Sequence, residues 1–213
     1  MPKNYERVTV VDHPLVHHKL ALLRDKNTPA SQFRQVVREL AMLEGYEASR
    51  RLPTKSVTVE TPLMTTECQM LTTDPVIVPI LRAGLGLLEG ILDLVPTATV
   101  GHLGMERDEV THVARAYYAK MPKDVDKRPT IIVDPMLATG GSAVAAIKYL
   151  RERGVYNLSL MVLVAAPEGI EAVLEADEHV RIITCAIDDG LNENAYIVPG
   201  LGDAGDRIFG TIA

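Results

Sequence analysis

Apolar residues recur every three or four positions in two opening segments. Over residues 14–24 they fall at Leu15, Val16, Leu20 and Leu23, a helical spacing. A second stripe, Phe33, Val36, Val37, Leu40 and Leu43, runs on to about Arg51, and Pro53 stops it. Thr28-Pro29 reads as an N-cap followed by proline at the first helical position. Further on the rhythm changes. Short apolar runs at 76–80, 98–102, 130–133, 158–164 and 181–186 predict strands, with helical stretches at 85–94, 142–153 and 169–176 between them. Gly154 is a natural stop for the helix from Ser142. Strands alternating with helices predict an α/β fold, a mostly parallel sheet flanked by helices. Residues 105–122 break the pattern. Val110, His112 and Tyr117, with Thr111 and Val113 interleaved, predict an extended β-hairpin arm, followed by a charged, proline-bounded loop to Pro129.

Composition narrows the class. A chain of 213 residues suffices for one domain with a sizeable core, and 47% hydrophobic with 23% charged residues is the balance of a soluble protein. A net charge of −6 opposes generic binding to nucleic acid or anionic membrane, but leaves room for a local anion site. No apolar run is long enough to span a bilayer, and the first residues carry no apolar signal core. Cys68 and Cys185 read as free thiols, so a cytoplasmic protein is expected. His13 and His17 stand one helical turn apart, but neither a third ligand nor an HExxH pattern accompanies them, and no metal site of the protein's own is expected.

Four segments carry candidate chemistry. The run Val133-Asp134-Pro135-Met136-Leu137-Ala138-Thr139-Gly140-Gly141-Ser142 leads from a buried strand into a helix. Gly140 and Gly141 let successive N–H groups converge on an anion, the helix start adds positive potential, and Thr139 and Ser142 add hydroxyls. This suits a phosphate; without a lysine it is not a P-loop. Asp134, at the carboxyl end of its strand, could accept ribose hydroxyls. In the second segment, Val78-Pro79-Ile80-Leu81-Arg82-Ala83-Gly84-Leu85-Gly86, a strand ends, an arginine follows and two glycines open a helix, which suits another anion nest with a guanidinium clamp. The third, Gly104-Met105-Glu106-Arg107-Asp108, opens the hairpin arm. The fourth is the tail, Asn192 through Arg207, where Gly200, Gly202 and Gly205 spell GxGxxG. A dinucleotide fingerprint is rejected there: Pro199 abuts the first glycine and eight residues follow the last, so the strand–helix–strand context is missing. A glycine-rich pocket reading a flat polar ring through backbone groups is the alternative.

Taken in order, these four segments resemble the type I phosphoribosyltransferases, from about Val10 to Phe209. Most of that superfamily ends the phosphate-loop strand with two acidic residues. Pro135 in the second place, together with the tail, is similar to the uracil phosphoribosyltransferases. The resemblance implies a single domain with an N-terminal helical segment (1–55), the hairpin arm and a C-terminal uracil-binding hood (188–213). It implies conversion of uracil and 5-phospho-α-D-ribose 1-diphosphate (PRPP) to UMP and diphosphate, in pyrimidine salvage. By the same resemblance, the loop from Asp134 and Pro135 through Met136, Leu137, Ala138, Thr139, Gly140 and Gly141 to Ser142 holds PRPP. Arg82 and Arg107 meet its diphosphate. Ile197, Gly202 and Ala204 present backbone groups to uracil, and Asp203 lies against the ribose or diphosphate. Arg107, Asp134 and Asp203 are the implied catalytic residues. Mg²⁺ would arrive mainly on PRPP, GTP is an effector of some relatives, and a homo-oligomer, dimer or tetramer, is implied. The segment from Val11 to Thr28 reads as packing or subunit contact. A transferase for another base, or a pyrimidine-responsive RNA-binding regulator on the same fold, is the alternative.

Overall fold

The computed structural model describes residues 5–107 and 114–211. Its helices and strands follow in the order β1 (Val8–Val10), α1 (Pro14–Arg24), α2 (Ala30–Ala48), β2 (Thr54–Glu60), β3 (Thr65–Leu71), β4 (Val76–Leu81), α3 (Leu85–Leu94), β5 (Thr99–Val100), β6 (His102–Arg107), β7 (Ala114–Lys120), β8 (Thr130–Leu137), α4 (Gly141–Arg151), β9 (Leu158–Ala165), α5 (Pro167–Ala176), β10 (Arg181–Ile187), β11 (Gly190–Leu191), β12 (Ile197–Val198) and α6 (Ala204–Phe209). The main sheet runs β1-β10-β9-β8-β4-β6-β7, with β5 also on β4. Every pairing in it is parallel except β6 with β7.

Side chains of a strand alternate between the two faces of its sheet, so a strand covered on both sides must be apolar throughout. β9 is buried along its whole length. Met161 and Leu163, with Ile131, Val133 and Ile77, meet α1, α2, α3 and α6 on one face. Leu160 and Val162, with Ile132, Val76 and Val78, meet α4 and α5 on the other. α4 fits because Ala143, Ala146, Ile147 and Leu150 fall three and four apart and share one stripe.

The connections fix where a ligand can sit. From β8 the chain moves outward through α4 to β9 and α5 to β10; from β4 it moves the other way, to β6 and β7. The crevice between the carboxyl ends of β4 and β8 is therefore a topological switch point. It opens because β4 pairs with β8 only as far as Pro79 with Val133, whereas β8 stays on β9 to Leu137.

Several expectations need correction. Asp134-Pro135 does not end its strand. Beyond Val133 the strand has lost β4, so a residue without an N–H is tolerated on the open side. α2 starts one residue later than expected, with Pro29 at the cap position; the Thr28 hydroxyl instead donates to the Leu22 carbonyl at 2.6 Å, tying α1 to α2. The first 55 residues are not all helical: β1 adds to the sheet edge beside β10, and β2 begins at Thr54. The β2–β3 hairpin was not anticipated. The predicted hairpin arm is present as β6 and β7, its first strand starting at His102. Val110, Thr111, His112 and Val113, which helped to predict it, lie outside the described residues.

Candidate active site

β8 and the loop after it form one wall. The Met136 N–H reaches the Asp134 carboxylate at 3.4 Å, a long contact, and burial pushes that carboxyl up to about 7. The loop then turns through Gly140 at φ +82°. A Cβ there would lie 3.0 Å from Ala172 Cβ and 3.1 Å from the Gly169 carbonyl of α5, so glycine suits both the dihedral and the space. Gly140 is the N-cap of α4, and no side chain caps it. The first-turn N–H groups of α4 are thus available to an anion, with the helix dipole behind them.

The tail forms the opposite wall. β11 and β12 make a short antiparallel pair, and the chain then turns through Gly200 (φ +60°) and Gly202 (φ +77°) into α6. Asp203 is the N-cap of α6, its carboxylate accepting from the Asp206 N–H at 2.9 Å. Between the walls is a cavity of about 600 Å³, lined on one side by Asp134, Met136, Leu137, Ala138, Thr139, Gly140 and Ser142, and on the other by Ile197 and Asp203. The β8 loop and the tail, far apart in sequence, thus meet at one cavity.

Other implied residues stand beside the cavity or in its frame. Pro135, Gly141, Gly202 and Ala204 do not line it, and Ala204 is fully buried at the start of α6. Arg82, just past β4, has a side chain 63% exposed that lies 3.8 Å from Asp206 and 5.7 Å from the Phe209 ring centre. It sits across the switch point from Asp134. The backbone of Arg107 ends β6, three residues past the Leu81–Gly104 pairing, on the same edge of the sheet. The side chains of Glu106 and Arg107 lie outside the described residues.

Asn194, Ala195 and Tyr196 also line the cavity and were not singled out from the sequence. Their signal was position alone, directly before Ile197. Ala195 adopts φ +61°, uncommon for a residue with a Cβ. Among the described residues no group of three or more His, Cys, Asp or Glu side chains gathers to hold a metal.

Comparison with known proteins agrees with this geometry. The profile of the family described as uracil phosphoribosyltransferase matches residues 10–211. The uracil phosphoribosyltransferase of Alkaliphilus oremlandii is 55% identical over 206 residues, 96% of this chain and 99% of that one. The structure of the AQ2163 protein from Aquifex aeolicus superposes with a TM-score of 0.88 at 37% identity, covering 95% of this chain and 97% of that one. An adenine phosphoribosyltransferase from Trypanosoma brucei shares the fold at 10% identity, with a TM-score of 0.59 over 90% and 88% of the two chains.

Proposed function

Because the chain belongs to the uracil phosphoribosyltransferase family, we propose that it is a pentosyltransferase joining uracil to the ribose of PRPP, giving UMP and diphosphate in pyrimidine salvage. The observation that carries this reading is the single cavity lined by both the β8 loop and the tail. One wall suits a ribose phosphate and the other a flat base, so the two reactants would meet between them.

In this reading the Thr139–Ser142 nest holds the 5′-phosphate and Asp134 holds the ribose hydroxyls. The backbone around Ile197, Gly202 and Ala204 orients uracil, with Asp203 beside the ribose. The chemistry asks little covalent work. As diphosphate leaves with the bonding pair, the C1 carbon of ribose becomes positive; the uracil nitrogen bonds to it, and its proton passes to the departing diphosphate or to solvent. Holding both partners in line converts an encounter into an internal step, and charges fixed beforehand stabilise the separation. Arg82 and Arg107 meet the departing diphosphate as charge-assisted donors. Among the described residues no three His, Cys, Asp or Glu side chains gather to hold a metal, and in this reading Mg²⁺ arrives on PRPP, where it would neutralise the leaving group.

The two cysteines are free, Cys185 buried and Cys68 partly so, which supports a cytoplasmic enzyme. No described helix is long and apolar enough to cross a membrane. We read the assembly as a homo-oligomer, on the exposed β2–β3 hairpin.

The test is UMP formation from PRPP and a panel of bases, with and without Mg²⁺ and GTP. UMP from uracil, with little product from purines, is the expected outcome. Preferential use of a purine would replace the base assignment, and no diphosphate release with any base would overturn the reading. The GTP arm decides whether this chain responds to that effector.

A further inference from the structure

Two arginines tie the tail to the end of α1. Arg24, the last residue of α1, meets Asp188 with two hydrogen bonds, Nη1 to Oδ2 at 2.8 Å and Nη2 to Oδ1 at 2.6 Å. The same Nη1 donates to the Gly200 carbonyl at 2.8 Å, and Asp188 Oδ2 accepts from the Gly200 N–H at 2.9 Å. Arg24, Asp188 and Gly200 thus close a ring in which both backbone groups of one glycine are taken. The pair is shielded, with side chains 27% and 4% exposed. One residue on, the Leu201 carbonyl accepts from Arg207 at 2.8 Å. Arg207 also donates to the carbonyls of Leu23 and Asp25 and lies 4.2 Å over the Phe33 ring.

Consecutive carbonyls are therefore each held by a guanidinium. In a trans peptide the C=O and the next N–H point opposite ways, so fixing the Gly200 and Leu201 carbonyls also aims the N–H groups of Leu201 and Gly202. Gly200 and Gly202 have no side chains with which to hold themselves, and glycine loses most freedom on ordering. The constraint has to come from outside. A shielded ion pair is also a poor device for stability alone, since apolar residues of similar size commonly do as well. What it supplies here is direction.

We propose that Arg24 and Asp188 are positioning residues for base recognition: they hold Gly200 so that the turn after Ile197, which lines the cavity, keeps the base-binding wall in place, while neither side chain lines the cavity itself. This rests on the reading of the tail as the base-binding wall. The phosphate loop hangs on β8 and α4, outside this ring, and Asp203 is held by its own cap on α6, so PRPP binding should respond much less than uracil binding.

The experiment is initial-rate UMP formation by the full chain, each substrate varied in turn, for Arg24→Met, Arg24→Lys and Asp188→Asn, with thermal unfolding alongside. An ångström of misplacement can cost roughly 10²-fold, so uracil KM should rise about tenfold or more in Arg24→Met and Asp188→Asn while PRPP KM stays within about twofold. Lysine reaches fewer of the three acceptors, so Arg24→Lys should fall between wild type and Arg24→Met. Unchanged uracil KM in folded variants would overturn the proposal, as would both KM values rising together. If Arg24→Met does not fold, Arg24→Lys and Asp188→Asn read the same split. Failure of the underlying function looks different: the wild-type chain itself would then make no UMP from uracil.

Discussion

Asp134 and Glu44 are both carboxyls pushed up by burial, with opposite consequences. Asp134 titrates at about 7 against an ordinary 3.8, with desolvation as the main cause. Only its ionised form offers every lone pair to ribose hydroxyls. PRPP capture should therefore strengthen as pH rises through about 7 and level off above it, as kcat/KM for PRPP would report. Hydrogen bonds to charged groups contribute about 1.5–3 kcal/mol, so Asp134→Asn should lower that constant roughly 10- to 100-fold and flatten the profile. Glu44 lies away from the cavity lining. It is fully buried on α2, neither oxygen makes a well-formed hydrogen bond, and it faces the Val162 backbone and the Cys185 thiol. Desolvation drives its pKa well above the ordinary carboxylate range and raises that of the Cys185 thiol too. A carboxyl raised in the folded state stabilises least at high pH: stability should fall as pH climbs from the ordinary glutamate range near 4.5 toward the folded value. Leaving a buried polar group unsatisfied costs about 1–3 kcal/mol, so Glu44→Met should raise Tm at neutral pH and reduce that slope. Unfolding curves of both proteins across pH measure this directly. Its place was legible, since residue 44 continues the stripe of Phe33, Val37, Leu40 and Ala41. Its charge hid it from a search for apolar residues.

At the scale of elements, the phosphate loop shows what glycine spacing conveys. The strand–Gly-Gly–helix order predicted an anion nest, and the dihedral and crowding at Gly140 account for the first glycine. Gly140→Ala would put a methyl against Ala172 in a left-handed conformation, costing about 1–2 kcal/mol. The expected result is a higher KM for PRPP with uracil KM little changed, the reverse of the Arg24 variants; equal effects on both substrates would mean the loop serves the whole site. Elements buried on both faces were readable because burial imposes unbroken apolar runs, as in β9. β2 and β3 were missed for the complementary reason. They are mostly exposed: in the Thr-Lys-Ser-Val-Thr-Val-Glu run only Val57 and Val59 share a half-buried face, an alternation too short to stand out beside the unbroken apolar runs. The reach of β8 to Leu137 was hidden because Pro135 reads locally as a stop, and only the loss of β4 beside it makes it tolerable.

For the whole molecule, each loop was legible by itself, but their meeting was not. That Asp134 and Asp203 line one cavity follows from strand order, which periodicity does not encode. Here the family resemblance supplied what local chemistry could not. The tie from α1 to the tail illustrates the same limit: Arg24 and Asp188 are 164 residues apart, and nothing near either names the other. The β2–β3 hairpin stands apart from the main sheet as a two-stranded sheet of its own. Its tip is built rather than loose, the Thr61 side chain accepting from the Leu63 and Met64 N–H groups and donating to the Met64 carbonyl. That turn holds Leu63 95% and Met64 68% exposed, with Met70 57% exposed on β3. An ordered projection ending in large apolar side chains fits contact with another copy of the chain. Burying such a side chain stabilises by about 1.5–3 kcal/mol, so removing one should weaken assembly roughly ten- to a hundredfold. Light scattering after size exclusion should give a dimer or tetramer for the wild type, and Leu63→Asp with Met64→Asp should move the mass toward the monomer on dilution. No residue of the hairpin lines the cavity, so substrate affinities measured at high protein concentration should change little. A wild-type monomer at micromolar concentration would remove the hairpin from this role.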